Sequence, residues 1–378
     1  MRPSVDVGMW RPSEAAGRLA AEARTMTLHR ARLRLIVLGS VCLPFLAAQV
    51  PLPNPGAMPR DRSAEVDAAV ARALEFLARA QNADGSWSSQ QLGSSTALTS
   101  LSIMAFLAAG HVPDEGPYAT HLANGIRWIL SQQQPSGMFL DRGTHGPMYS
   151  HGITTLMLAE VLGMTPAFEA ERIRDALSRA VNVILLAQSV RKSRKHAGGW
   201  RYHRESTDSD LSVTGWQLLA LRAAQNVGCD IPVEQIDAAV EYVKRCSTPG
   251  HNGFGYQPGD GPTPVRSGTG ILCLEICGEH LAAESVGAGD YLLQHPLSPH
   301  QNFYYYGVYY CGIGTFQLGG RYWEATRERI VSDLLSRQSP SGAWTPHPTE
   351  SMGGAIYSTS LAVLSLSVDY QYLPIYQR

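Results

Sequence analysis

Apolar residues spaced three and four apart alternate along this chain with short polar turns rich in glycine. Val66, Val70, Ala73, Leu74 and Leu77 form the first such stripe, the pattern of an amphipathic helix with one buried face. The unit of helix, turn and helix recurs six times. The spacing predicts helix pairs over Val66–Gln81 and Ala97–Ala109, Ile126–Gln134 and Ile153–Leu162, and Ala176–Gln188 and Ser212–Ala224. Three more pairs follow over Ile236–Cys246 and Gly270–Cys277, Gly289–Gln294 and Tyr304–Gln317, and Glu328–Gln338 and Tyr357–Val368. The fifth is degenerate, with a short first helix and a proline-rich break. No stretch alternates apolar and polar residues long enough to demand a sheet.

Three of the turns share one spelling. Gln81, Gly85 and Trp87 stand at the same spacing as Gln133, Gly137 and Phe139, and as Gln338, Gly342 and Trp344. Self-similarity at a period of about 40 to 60 residues marks a repeat architecture. Each hairpin cannot bury its own apolar face, so neighbours must stack. Twelve helices in six pairs is the count that closes a ring. The turn has a mechanical reading: the glycine reverses the chain, the aromatic packs back on the helix just left, and the glutamine satisfies carbonyls that a helix end leaves open.

Phe76-Leu77 followed by Gln81, Gly85 and Trp87 resembles the QW motif of the terpenoid cyclases, and Trp128-Ile129 to Gln133, Gly137 and Phe139 nearly repeats it. From about Glu65 to Pro374 the chain is similar to the prenyltransferase and squalene-oxidase repeat family. The resemblance implies an all-α fold, an α/α toroid or (α/α)6 barrel, whose inner helices line a central cavity. Function is less determined, because one fold hosts many activities.

Class II terpene cyclases of that family carry an Asp-x-Asp-Asp motif whose middle acid protonates an alkene. The matching stretch here is Asp208-Ser209-Asp210-Leu211. By position Asp210 is the candidate proton donor and Asp208 its neighbour, but Leu211 replaces the last acid. Alkene protonation needs a strong acid whose anion is stabilised. The competing reading is that Asp208, Asp210 or Ser212 caps the following helix. Protein prenyltransferase β-subunits hold zinc through an Asp, a Cys and a His, and such a site needs three converging ligands. The matching stretches read Val265-Arg266-Ser267-Gly268 and Tyr304-Tyr305-Tyr306, so neither metal nor cofactor is expected. Complement-type thioester domains share the toroid, but Ile276-Cys277-Gly278-Glu279-His280 has a histidine where the thioester glutamine belongs. Glu205, Asp208, Asp210, Asp260 and Glu350 precede inner helices, and two of them at the right separation could act as a glycosidase acid and base.

The ends of the chain change the picture of where it works. Basic residues His29, Arg30, Arg32 and Arg34 precede the apolar run Leu35–Ala47, which reads as a signal peptide cut after Ala48. The run is too short for a spanning helix of about 20 residues; an uncleaved anchor is the alternative. Met26 makes a more ordinary start for such a leader than Met1. Residues 49–63, with Pro51, Pro53, Pro55 and Pro59, read as a stiff tether, and 64–378 as one toroid domain. The expected location is periplasmic or extracellular, with no integral span in the mature chain. Lys and Arg number 31 against 32 Asp and Glu, and no segment has the basic concentration that nucleic acid binding requires. Arg191-Lys192-Ser193-Arg194-Lys195 reads as a solvated insertion. Beyond Cys42 there are five cysteines. Cys229 and Cys246 are candidates for a pair or for buried thiols, and Cys273 and Cys277, one helical turn apart, favour packing over bonding.

Repeats three to five are rich in aromatics, which present a ring and often a polar tip to a pocket. Tyr202, Trp216, Tyr256, Tyr305, Tyr306 and Tyr309, with Asp260, are the expected ligand-binding set. The leading expectation is an exported toroid that binds an isoprenoid, a glycan or a peptide in an aromatic central cavity, without intact catalytic motifs. One alternative is a cyclase-like enzyme in which Asp208 and Asp210 act with Asp260 or His203. Another is a scaffold that presents only its surface.

Overall fold

The computed structural model describes residues 60–141, 146–165 and 167–377. The expected leader and most of the expected tether lie outside that range; the tether's last residues are helical, because the first helix begins at Arg60. Six outer helices, α1 (Arg60–Arg79), α3 (Ala119–Gln132), α5 (Ala167–Gln188), α7 (Val233–Arg245), α9 (Ala283–Gln294) and α11 (Gly320–Arg337), alternate with six inner ones. The inner helices are α2 (Thr96–Ala108), α4 (Pro147–Leu162), α6 (Leu211–Asn226), α8 (Pro264–Ile276), α10 (Tyr304–Leu318) and α12 (Gly354–Leu366). A two-residue strand pair, Ser88–Ser89 with Gly93–Ser94, sits in the first turn.

Outer and inner helices differ as their sequences demand. On α7 only Ile236, Ala239, Val240, Tyr242 and Val243 are buried, one stripe at spacings of three and four. On α2 every residue but Ala97 is buried. A helix apolar all round must be covered all round, and the ring does this. Each inner helix packs on the next, and α12 packs back on α2. The resulting ring of six hairpins is an α/α toroid.

The shared turns are clasps between neighbours. Gln81 Nε2 donates to Gly85 O at 2.9 Å and to His121 O of the next outer helix at 2.9 Å. Gln133 does the same to Gly137 O and Ala176 O. Gln338 closes the ring by donating to Gly342 O and, at 2.8 Å, to Ala69 O of α1. A fourth clasp is hidden in the sequence by the insertion of repeat three, where Gln188 reaches Gly198 O and Gln235 O. Lys192 within that insertion is half-buried and donates to Gly199 O at 2.5 Å; it staples the loop shut instead of lying in solvent.

Each indole packs back on the helix it follows: Trp87, Trp200 and Trp344 donate Nε1–H to Leu77 O, Ile184 O and Leu334 O. Their backbone N–H groups donate inward to Thr99, Thr214 and Thr359. In repeat two His151 takes that place: its Nδ1 accepts from Phe139 N–H, while its Nε2 faces Ala180 O at 3.0 Å. Burial holds this imidazole neutral, with its pKa down at about 4. Glycine is required at Gly85 and Gly342, where φ is +94° and +92°. A Cβ there would lie 2.5 Å from Asn124 O and 2.1 Å from Arg72 O.

The ring interior is packed with aromatics. Trp216 on α6 stacks on Tyr309 of α10 with centroids 5.1 Å apart and meets Tyr310 edge-on at 5.4 Å. Helix α8 lies between those two in ring order, so these contacts cross the interior. At the C-terminal ends of the inner helices the turn Pro374–Tyr376 closes the ring. Tyr376 meets the Tyr309 hydroxyl, its carbonyl accepts from Gln317, and Ile375 N–H donates to buried Glu160 at 3.3 Å. Cys229, Cys246, Cys273, Cys277 and Cys311 are free thiols, all but Cys277 buried.

Candidate functional site

The turns deliver side chains to the opposite end, where the inner helices begin. Two residues after Phe139, Trp200 and Phe254, the aromatics of repeats two, three and four, the chain bonds the first turn of the preceding inner helix. Tyr202 O accepts from Met148 N–H at 3.1 Å and Tyr256 O from Leu211 N–H at 2.9 Å. In repeat two the bond comes from a side chain: the Asp141 carboxylate accepts from Thr96 N–H, Ala97 N–H and the Ser95 and Ser150 hydroxyls. Glu350 plays this part for α10, accepting from Tyr305 N–H at 3.1 Å and Tyr306 N–H at 2.8 Å. Burial raises its pKa to about 7 against those two donors. Each loop thus satisfies helix-end donors that would otherwise be orphaned.

This register points the rings of Tyr202 and Tyr256 into the mouth. Their hydroxyls bond each other, and the Tyr149 ring lies 6.0 Å from that of Tyr202. Two guanidiniums are layered between the rings. Arg201 sits 4.5 Å from the Tyr202 centroid and 5.3 Å from that of Tyr256. Arg266 sits 4.7 Å from the Tyr256 centroid and 5.7 Å from that of Tyr306, and bonds the Ser212 hydroxyl. Such cation–π stacking holds a long side chain flat and in place.

Beneath them Asp210 caps α6, with Oδ1 accepting from Val213 N–H at 2.9 Å. Its Oδ2 is buried without a hydrogen-bond partner, 3.7 Å from Arg201 Nη1. Burial pushes its pKa up to about 6, although the Val213 N–H and the charges of Arg201 and Arg266 pull it down. Asp208 shares Arg201, 3.5 Å from its Nε, at the half-buried edge of the cluster. A carboxyl so raised can hold a proton near neutral pH, which is the opposite of the strong acid that an alkene requires.

Of the expected residues, the structure brings together Asp208, Asp210, Tyr202, Tyr256 and Tyr306. Trp216 and Tyr309 lie deeper, in the packed interior. Tyr305 turns away from the mouth, edge-on to Tyr304 at 5.0 Å, and exposed Asp260 accepts from Gln257 N–H in its own loop. Arg201, Arg266 and Tyr149 join the residues brought together at the mouth without having been expected there as ligand-binding residues. Repeat register would have found Arg201, which stands directly after a clasp aromatic, but no local signal marks Arg266. At the stretches where prenyltransferases hold zinc, Arg266 and Tyr306 supply neither carboxylate nor thiolate. Among the described residues no three His, Cys, Asp or Glu side chains converge to hold a metal.

Comparison with known proteins agrees with this architecture. The sequence model of the prenyltransferase alpha-alpha toroid domain matches residues 34–146 and 119–304. Among solved structures, a variant of the type II terpene cyclase MstE from Scytonema, bound to its substrate geranylgeranyl dihydroxybenzoate, superposes with a TM-score of 0.52 at 14% identity. The match covers 83% of this chain and 99% of that one. The GH76A alpha-1,6-mannanase of Salegentibacter sp. HEL1_6 gives a TM-score of 0.60 at 7% identity, over 81% of this chain and 99% of its own. At such identities the likeness is one of fold. With its family's sequence model matched over more than half its length, this chain belongs to the prenyltransferase α/α-toroid domain family.

Proposed function

We propose that this protein is an exported toroid that binds a ligand at the inner-helix mouth, in the surface built by Tyr149, Tyr202, Tyr256 and Tyr306 with Arg201 and Arg266. The observation that carries the reading is the layering of two arginines between the rings of Tyr202, Tyr256 and Tyr306, from three different repeats. Flat, fixed guanidiniums beside tyrosine faces suit a ligand with both apolar and polar surface. An isoprenoid, a glycan and a peptide are the candidate classes, and the two similar folds named above bind members of the first two. Leu211 in place of the last motif acid is the reason to read binding without catalysis. The mature chain should be titrated with a polyprenol, a manno-oligosaccharide and a short aromatic peptide, following its tyrosine and tryptophan fluorescence. One class is expected to give a saturable change, weakened about tenfold in Arg266→Ala with the fold retained. Saturation with none of the three would instead favour a scaffold, and unchanged affinity in Arg266→Ala would move the site elsewhere.

A second reading, a cyclase-like enzyme using Asp208 and Asp210, is favoured by the unpartnered, buried Oδ2 of Asp210. Incubation with squalene and shorter polyprenes separates the two. Cyclised product from the wild type and none from Asp210→Asn would make it an enzyme; binding without product supports the proposal.

A further inference from the structure

Four seams between neighbouring outer helices are sewn by a clasp glutamine, that of Gln81, Gln133, Gln188 or Gln338. Among the described residues no glutamine joins α7 to α9 or α9 to α11. What joins the latter pair is Asp290, which accepts from Arg321 and from the Tyr322 hydroxyl. Helix α9 is also short, and Pro296 and Leu297 lead the chain away from it.

A cavity of about 90 Å³ opens at this unsewn seam. Leu292, Leu297, Ala325 and Ile330 wall it, with Cys311 behind them and Arg329 and Asp333 at the opening. Tyr304 forms part of the wall and is itself 2% exposed, yet its hydroxyl has no hydrogen-bond partner. Burial and nearby Asp333 keep that hydroxyl neutral. Cys311 is a packing surface: its thiol bonds Pro264 O at 3.3 Å, and burial pushes its pKa up to about 12. Thr326, Arg329 and Asp333 supply the other polar groups of the lining, and Tyr304 is the lining residue whose buried hydroxyl is left without a partner.

We propose that this seam is a second ligand site, separate from the mouth, for a short aliphatic chain that ends in a hydrogen-bonding oxygen. Since a dry cavity of about 150 Å³ holds benzene, this volume suits roughly four carbons, with the oxygen against Tyr304.

Fluorine NMR of trifluorobutanol added to the full chain tests this. A saturable shift is expected for the wild type. It should vanish in Ala325→Phe, which fills the cavity from α11, and weaken about fivefold in Tyr304→Phe, as loss of one net hydrogen bond does. Should Ala325→Phe fail to melt cooperatively, Leu293→Phe at the opening replaces it with the same expectation. No saturable shift in the wild type, an unchanged shift in the folded filled variant, or equal binding by Tyr304→Phe would overturn the proposal.

Discussion

Trp344 condenses the fold into one side chain. Its indole N–H returns to α11, its backbone N–H goes forward to α12, and its ring is wholly buried between them. Trp344→Ala therefore removes packing and a hydrogen bond at once, and should cost about 3 to 5 kcal/mol in denaturant unfolding. Trp87→Ala should match it, because the same three contacts recur there. A cost under about 1 kcal/mol, typical of surface sites, would show that the clasps do not hold the hairpins. Asp210 illustrates the other kind of residue. Its capping bond is legible from its place before Ser212, but its burial under Arg201 and Arg266 is not, since Arg201 reaches it from across its own loop and Arg266 from helix α8 of the next repeat.

At the scale of elements, the expected inner helices match closely at α2, α6 and α10, whereas every outer helix begins three to nine residues before the stretch its apolar stripe announces. Helix α4 begins at Pro147 and not near Ile153, because its first turns carry Ser150 and His151, whose partners lie in neighbouring loops. The clasp of repeat three was obscured by an insertion that leaves the Gln188–Gly198 bond intact. The closing turn Pro374–Tyr376 had no repeat to announce it.

That turn sets a pH dependence. Burial lifts Glu160 from the ordinary 4.5 to about 8, and its neighbours Tyr309 and Tyr376 are neutral hydroxyls. Between those values the fold keeps a proton that the unfolded chain has released, so stability falls as pH rises. Glu350, raised to about 7, acts in the same sense. His151, lowered from 6.5 to about 4, works oppositely and only within that lower window. The melting temperature should therefore drop between about pH 6.5 and about pH 8, and Glu160→Gln should flatten the drop. A parallel decline in the variant would remove Glu160 as its source.

The whole molecule depends on closure. Repeat six supplies the Gln338 clasp to α1, the packing of α12 on α2, and the Glu350 cap on α10. Deleting the chain from Glu328 onward strips all three, and in a ring of mutually covering hairpins the remainder should lose its cooperative melt. An unchanged melting temperature would contradict the closed ring. The toroid itself was readable from six hairpins and three identical turns. The mouth was readable only in part, because what matters there is which loops converge, and spacing along one repeat does not encode contacts among three.

Hydrogen exchange of the full chain, with and without whichever ligand class saturates in the titration, tests the central claim most directly. Binding at the mouth should slow exchange in residues 147–151, 200–212, 254–266 and 303–310, the segments that carry its arginines and tyrosines. Protection confined to other segments would contradict it.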